Sequence, residues 1–297
     1  MDKFNWNDLQ TFLAIARTGR LTVAAQRLSL DHSTLSRRLA GLEAALGVKL
    51  FDRRATGYTL TQEGEALMAE AETMESISLR LQTRLQDAQH SVSGTLRIGT
   101  PEGFGTWFLA ARLPRLLAAH PQLEVELVAN PRNFSLSKRE ADLSIAMSRP
   151  DQGRVHARKL VDYELGIYAS PDYLARHAPI DSLAQLAVHP WVGYVEDLMW
   201  TQELNYFQDL LPSVHPGIRI SNVITQLAAV RSGAGVGVLP CFMARGEQGL
   251  AQVLPEQKLT RTYWIITHAD TAELARVRVM QRFLEAEVAR EPGFWNL

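Results

Sequence analysis

The sequence predicts an α/β chain with an all-α, winged helix-turn-helix head and a long linker helix. Three observations predict it. Two helical stretches joined by a three-residue turn lie within the first 50 residues. A seven-residue apolar repeat without proline follows, from Leu60 to Ala88. After Gly94 the pattern changes to alternating strands and helices, which implies mainly parallel sheets covered by helices.

The head comes first. Leu21–Leu28 reads as one helix, Ser29-Leu30-Asp31 as a turn and His32–Leu46 as a second helix. This unit docks on DNA with its second helix in the major groove. At about 100° per residue, Leu35, Leu39, Leu42 and Leu46 fall within about 60° of one another and face the small core. The opposite face carries Ser33, Arg37, Ala40, Gly41 and Ala44. All but Arg37 are small, so the backbone can sink close to base edges. Arg37 can offer two donors to guanine O6 and N7. Arg38 points to a flank, where a phosphate contact is more natural. Asp31 is placed to cap the helix. His32 either donates to a base or touches phosphate; both remain open. A basic loop, Phe51-Asp52-Arg53-Arg54, follows where a wing would sit, with Arg53 and Arg54 set to meet phosphate or the minor groove. A solvated amphipathic helix would explain the face alone. It would not explain the turn, the small residues and the basic loop together.

Charge is distributed to match. The formal net charge of the 297-residue chain is -1. Residues 1–60 carry nine Lys/Arg against five Asp/Glu, a net of +4, which leaves -5 for the remainder. A basic end on an acidic chain suggests localised contact with nucleic acid. Hydrophobic content of 46% suits a globular protein with sizeable cores. Met1-Asp2-Lys3-Phe4 opens a polar segment rather than a signal peptide, and no uncharged apolar run reaches about 18 residues, so the expected location is the cytoplasm, away from membranes. Cys241 stands alone, which excludes an internal disulfide framework and thiolate zinc sites.

The linker helix is expected over 61–89. Leu60, Leu67, Met74, Leu81 and Ala88 are seven apart, with Ala71, Ser78 and Leu85 four after three of them. A helix this long with one apolar stripe calls for a partner helix, most simply from a second copy, and two copies would read two half-sites. His90-Ser91-Val92-Ser93-Gly94 reads as a hinge, 90–94. Beyond it, strands are expected at 95–99, 123–129, 142–147, 165–169, 236–239 and 263–267. Helices are expected at 104–119 with a fault at Pro114, at 222–231 and at 271–290.

These motifs resemble LysR-type transcriptional regulators over the whole chain. The resemblance rests on Leu9-Gln10-Thr11-Phe12, Ala24-Ala25-Gln26-Arg27-Leu28, Ser33-Thr34-Leu35-Ser36-Arg37, Leu42-Glu43, Leu46-Gly47, Leu50-Phe51-Asp52-Arg53 and Leu60-Thr61-Gln62-Glu63-Gly64. It implies a DNA-binding domain at 1–60 using His32, Ser33, Thr34, Ser36, Arg37, Arg38, Arg53 and Arg54. Asp31-His32 departs from the Thr/Ser-Gln pair common in the family, so an amide that can read adenine is missing. The resemblance further implies an effector region at 95–297 with two periplasmic-binding-protein-like subdomains, I at about 95–162 plus 269–297 and II at about 163–268. The implied partners are double-stranded promoter DNA, a small-molecule inducer, RNA polymerase and further copies of the chain, as homodimer or homotetramer. No cofactor is implied.

Ligands of such sheets sit beyond the carboxyl ends of strands, at helix N-termini. That rule selects Thr100 and Glu102 after the first strand, Asn130 after the second, and Met147, Ser148 and Arg149 after the third. It also selects Tyr194 and Asn222. Each could equally be a turn or cap residue. Arg149 hints at an anionic effector, whereas Glu102 facing the cleft would oppose one. Catalytic patterns are weak. Gly233-Ala234-Gly235-Val236-Gly237 follows a helix and leads into a strand, the reverse of a dinucleotide loop. Ser135-Leu136-Ser137-Lys138 lacks the partner motifs of acylating enzymes. Asn133-Phe134-Ser135 fits a glycosylation sequon in a chain not expected to be exported. The histidines show no metal spacing. An enzyme or a solute-binding transport protein is therefore disfavoured against a ligand-controlled regulator.

Overall fold

The computed structural model describes residues 5–54, 57–87, 92–130, 141–150, 154–210, 212, 214–269 and 271–296. The chain forms two compact units, Met1–His90 and Ser91–Leu297.

In the first unit, α1 (Trp6–Thr18) begins with a capping box: Asn5 accepts from the Asp8 amide, and Asp8 accepts from the Asn5 amide. Gly19, at φ 65°, ends it. Helix α2 (Leu21–Leu28) ends at Ser29 in the left-handed conformation, which turns the chain into α3 (His32–Leu46). Leu35, Leu39 and Leu42 are buried against Phe12, Leu13 and Ile15 of α1 and Ala24 of α2. The turn and both helices lie where the sequence placed them. Strands β1 (Phe51–Arg54) and β2 (Gly57–Leu60) pair antiparallel as a two-stranded wing. The Tyr58 amide donates to the Gly19 carbonyl at 2.8 Å, and a Cβ on Gly57 would meet that oxygen at 2.3 Å. Only glycine at φ 138° lets the wing close on the α1–α2 turn.

Helix α4 (Gln62–Asp87) departs from a single free seam. Its first half belongs to its own head: Leu67 and Met68 pack on the core, Ala71 is fully buried, and Arg17 holds Glu75 at 2.7 Å. Leu60 is in the wing, not the helix. The outward stripe starts later, with Met74, Ile77 and Leu81 each about half exposed. Buried Ala71 and exposed Met74 mark the change. The Leu85 side chain, Ala88 and the hinge residues His90 and Ser91 lie outside the described residues.

The second unit is built on one eight-stranded sheet in the order β4-β3-β5-β10-β6-β9-β7-β8. Strand β3 (Gly94–Thr100) runs parallel to β4 (Leu123–Ala129) and β5 (Leu143–Ala146). Between β3 and β4 the single expected helix is divided. A π-helical segment, Phe104–Leu109, ends in a turn, and α5 (Leu113–Ala119) restarts with Pro114 in its first turn. Proline lacks a donor and has a fixed φ, so it begins a helix more readily than it continues one. The long strand β6 (Val155–Ala169) leads to α6 (Pro171–Arg176), α7 (Leu183–Leu186) and β7 (Trp191–Tyr194). Then come α8 (Tyr206–Leu210), β8 (Ile218–Ile220), α9 (Val223–Arg231) and β9 (Val236–Pro240). The short α10 (Cys241–Ala244), the long β10 (Ala251–His268) and α11 (Ala275–Arg290) complete the unit.

The sheet is mixed rather than mainly parallel. Parallel blocks β4-β3-β5 and β8-β7-β9 flank a central antiparallel pair, β6 and β10. The expected strands at 165–169 and 263–267 are the ends of these long strands, and the expected crossing near 162 falls inside β6. The last helix starts at Ala275 rather than 271, because 271–274 forms turns, the Thr271 and Ala272 amides donating to the His268 carbonyl and the Leu274 amide to the Thr271 carbonyl.

The Gly233–Gly237 stretch is structural. Gly235, at φ 143°, lies against Pro190, whose carbonyl accepts from the Val236 amide at 2.9 Å. Asn133, Ser135 and Lys138 lie outside the described residues.

Candidate DNA-reading helix and ligand cleft

The exposed face of α3 carries His32, Ser33, Arg37, Ala40, Gly41 and Ala44, while Thr34, Ser36 and Arg38 are half-buried. Asp31 organises its first turn. One carboxylate oxygen accepts from the Thr34 amide at 2.7 Å and the Ser33 hydroxyl at 2.6 Å; the other accepts from the Thr34 hydroxyl at 2.8 Å. The Ser33 hydroxyl, then the Thr34 amide and hydroxyl, hold the Asp31 carboxyl well below the usual carboxylate range. Ser33 and Thr34 thus spend their donors on the cap and face outward as acceptors and as small surface. At the C-terminal end, buried Glu43 accepts from the Leu50 amide at 3.0 Å and Lys49 at 2.6 Å. This joins α3 to the wing. Arg53 and Arg54 are exposed on β1, and the Arg53 guanidinium lies 5.6 Å from the Tyr58 ring centroid. The structure therefore brings all eight expected DNA-binding residues onto α3 and the wing of one small domain.

The second unit contains a narrow cleft with about 20 Å³ of free space, lined by Pro101, Glu102, Gly103, Met147, Tyr163, Tyr194, Trp200, Leu204, Tyr206, Val223, Pro240 and Tyr263. Its residues come from the turn after β3, the end of β5, both long strands and the β7–α9 segment. Three expected effector contacts, Glu102, Met147 and Tyr194, line it.

The other five do not. Thr100 is fully buried, and its hydroxyl faces Gly105 so closely that a Cβ there would lie 2.6 Å away. Asn130 donates its amide to the Thr100 carbonyl at 3.1 Å and serves strand register. Ser148 accepts from the Thr201 hydroxyl at 3.4 Å. Arg149 is exposed to solvent. Asn222 caps α9 by accepting from the Thr225 amide at 2.9 Å.

Three of the lining tyrosines, Tyr163, Tyr206 and Tyr263, were missed. Tyr163 and Tyr263 stack at 4.2 Å, and Tyr194 meets Tyr206 edge-on at 5.9 Å. Burial pushes all four phenol groups above their ordinary value of 10, so each stays protonated as donor and acceptor. The available signal was hydroxyl chemistry: buried Tyr must place its O–H, whereas Phe need not. Beneath the cleft Trp295 packs against Phe104, Phe108, Phe242 and Tyr263, tying both parallel blocks to the central strands. Burial raises the Glu102 carboxyl above 4.5, opposed by its own backbone amide. Among the described residues no group of three or more His, Cys, Asp or Glu could hold a metal ion, and no helix is long and apolar enough to cross a membrane.

Comparisons with known proteins agree with this geometry. Residues 6–65 match the family model "Bacterial regulatory helix-turn-helix protein, lysR family", and residues 89–289 match "LysR substrate binding domain". The transcriptional regulator PtxR of Pseudomonas aeruginosa is 30% identical over 98% of this chain and 96% of its own length. The regulator CrgA of Neisseria meningitidis is 25% identical; its solved structure covers 96% of this chain and 99% of that one, with a TM-score of 0.59. A full-length OxyR variant from Pseudomonas aeruginosa, 21% identical, shares the fold with a TM-score of 0.72 over 97% of this chain and 96% of its own. With both family models matched in order and across nearly its whole length, the chain belongs to the LysR family of transcriptional regulators, which bind DNA and are not enzymes.

Proposed function

We propose that this protein is a sequence-specific regulator of promoter DNA whose activity is set by a small molecule bound in the tyrosine-lined cleft. The carrying observation is the exposed small-residue face of α3 with Arg37 at its centre. Such a face lets a helix enter the major groove and leaves one guanidinium to discriminate bases. Arg38, Arg53 and Arg54 take the phosphates, and His32 takes a base or a phosphate. Met74, Ile77 and Leu81 form the apolar stripe by which α4 pairs with a second copy. A dimer, or a tetramer of two such dimers, reads an inverted repeat. The protein acts in the cytoplasm, needs no cofactor, and controls RNA polymerase at the promoter. The effector acts only by binding one arrangement of the oligomer more tightly than another.

The test is transcription from the promoter next to the protein's own gene, measured with and without metabolites of the neighbouring pathway. The reading expects at least one metabolite to change transcription in a strain with the protein and not in one lacking it. No change with any of them counts against effector control. Hydrodynamic sizing that finds only single copies counts against the paired α4 stripe.

A further inference from the structure

We propose that Tyr173 and His189, with His177 stacked beside them, form a proton-operated latch that fastens α6 to the turn leading into β7 and releases it on acidification. The Tyr173 hydroxyl and His189 Nδ1 share a hydrogen bond at 2.8 Å, and both residues are buried. His177 stacks on the Tyr173 ring with centroids 3.8 Å apart, and its Nδ1 donates to the Tyr173 carbonyl at 2.8 Å. The two imidazole centroids are 6.1 Å apart. The latch sits at a junction. The His189 amide donates to the Leu186 carbonyl at 3.2 Å, and the neighbouring Pro190 carbonyl accepts from the Val236 amide at the start of β9. From there β7 runs to Tyr194, a wall of the cleft.

The arrangement suits a neutral His189 and not a charged one. Its Nε2 is sealed from water and has no hydrogen-bond partner among the described residues. A cationic imidazole carries two N–H groups. The Tyr173 hydroxyl can accept from one; the other would be buried unpaired, together with the charge. The surrounding elements offer no relief. On α6, the Arg176 guanidinium donates to the Asp172 carbonyl, and the Asp172 carboxylate is exposed. Asp181, ahead of α7, is exposed as well. Arg231 of α9 pairs with Glu247. Strands β7 and β9 carry no charged residue. Among the described residues no carboxylate pairs with either imidazole. Burial, then the charge of His177, hold the His189 imidazole below 6.5. The unfolded chain therefore takes up this proton before the folded one does. The contribution of His189 to stability is full above pH 6.5 and is lost as pH falls below it.

Thermal denaturation of the full chain, from about pH 7.5 to about pH 5.5, tests the latch across the range in which histidine titrates. The wild-type midpoint is expected to fall by about 2–4 °C more than that of His189→Gln, which keeps a donor and an acceptor but cannot take the proton. An equal fall in the two proteins, or a flat wild-type midpoint, overturns the proposal. Hydrogen–deuterium exchange of the wild type alone gives an answer even where the variant does not fold. Corrected for the intrinsic effect of pH, exchange at the acidic end is expected to rise over residues 171–194 and not over β3, β4 and β5. A uniform rise across the second unit, or none, likewise overturns it.

Discussion

Tyr163 on β6 and Tyr263 on β10 stack face to face, their ring centroids 4.2 Å apart and their planes within 10°. The stack sits where the β6–β10 register shifts, between Tyr263 and Trp264. A bulge twists and re-aims the strand that carries it. Here it lies where a central strand contributes a side chain to the cleft. Tyr263 is 3% exposed and also touches Phe104 and Trp295. Tyr263→Phe preserves the stack and removes one hydroxyl from the cleft. The expected result is a stability change of about 1 kcal/mol or less in denaturant unfolding. A loss well above that would show that the hydroxyl holds a buried hydrogen bond on which the stack depends.

Trp295 holds the C-terminal segment against the cleft floor. It is 1% exposed, and its carbonyl accepts from the Glu164 amide at 3.0 Å. Trp295→Ala removes the largest ring of the aromatic cluster. A loss of about 3–5 kcal/mol is expected, read as a lowered denaturation midpoint of the second unit. A loss below about 1 kcal/mol would mean that the cluster repacks around the gap.

Glu43 couples α3 to the wing. Burial raises its carboxyl, but the Lys49 side chain and then the Leu50 and Phe51 amides outweigh that and bring it below 4.5. A carboxyl depressed in the folded state stabilises it above the unfolded value and loses that contribution as pH falls through the folded value. The head is therefore expected to lose stability on acidification below about 4.5, and Glu43→Gln to flatten that loss in melts against pH. Glu43→Ala leaves the Leu50 amide unsatisfied, at a cost of about 1–3 kcal/mol.

The head was legible in the sequence because its determinants are local. Asp31, the leucine stripe of α3 and the turn at Ser29 act within a few residues. The long strands were not. Along β6 the first half alternates between half-buried and exposed, whereas its last five residues are buried on both faces. No single period describes both environments. Along β10, Pro255, the left-handed Leu254 and two register shifts break the alternation. Five of the eight effector candidates fall outside the cleft lining for a related reason. The rule that selects strand ends finds Glu102, Met147 and Tyr194, but Thr100 turns inward and Asn222 is used as a cap. Tyr206 and Tyr263 reach the cleft from distant segments, and their identity as buried tyrosines resembles ordinary core.

Arg53 and Arg54 are exposed on the wing. Each phosphate neutralised contributes about -0.9 to the slope of log affinity against log salt. Arg54→Ala is expected to lower that slope by about one phosphate's worth and to weaken all duplexes alike. A slope identical to wild type would remove Arg54 from the phosphate contacts.

The most direct measurement concerns Arg37. Fluorescence anisotropy compares binding of wild type and Arg37→Ala to the protein's own upstream region and to a scrambled duplex at one salt concentration. The account predicts that wild type prefers the upstream region, and that Arg37→Ala loses about 1–3 kcal/mol of that preference while still binding both duplexes through phosphate. A variant that keeps the full wild-type preference, or a wild type with none, would contradict the account.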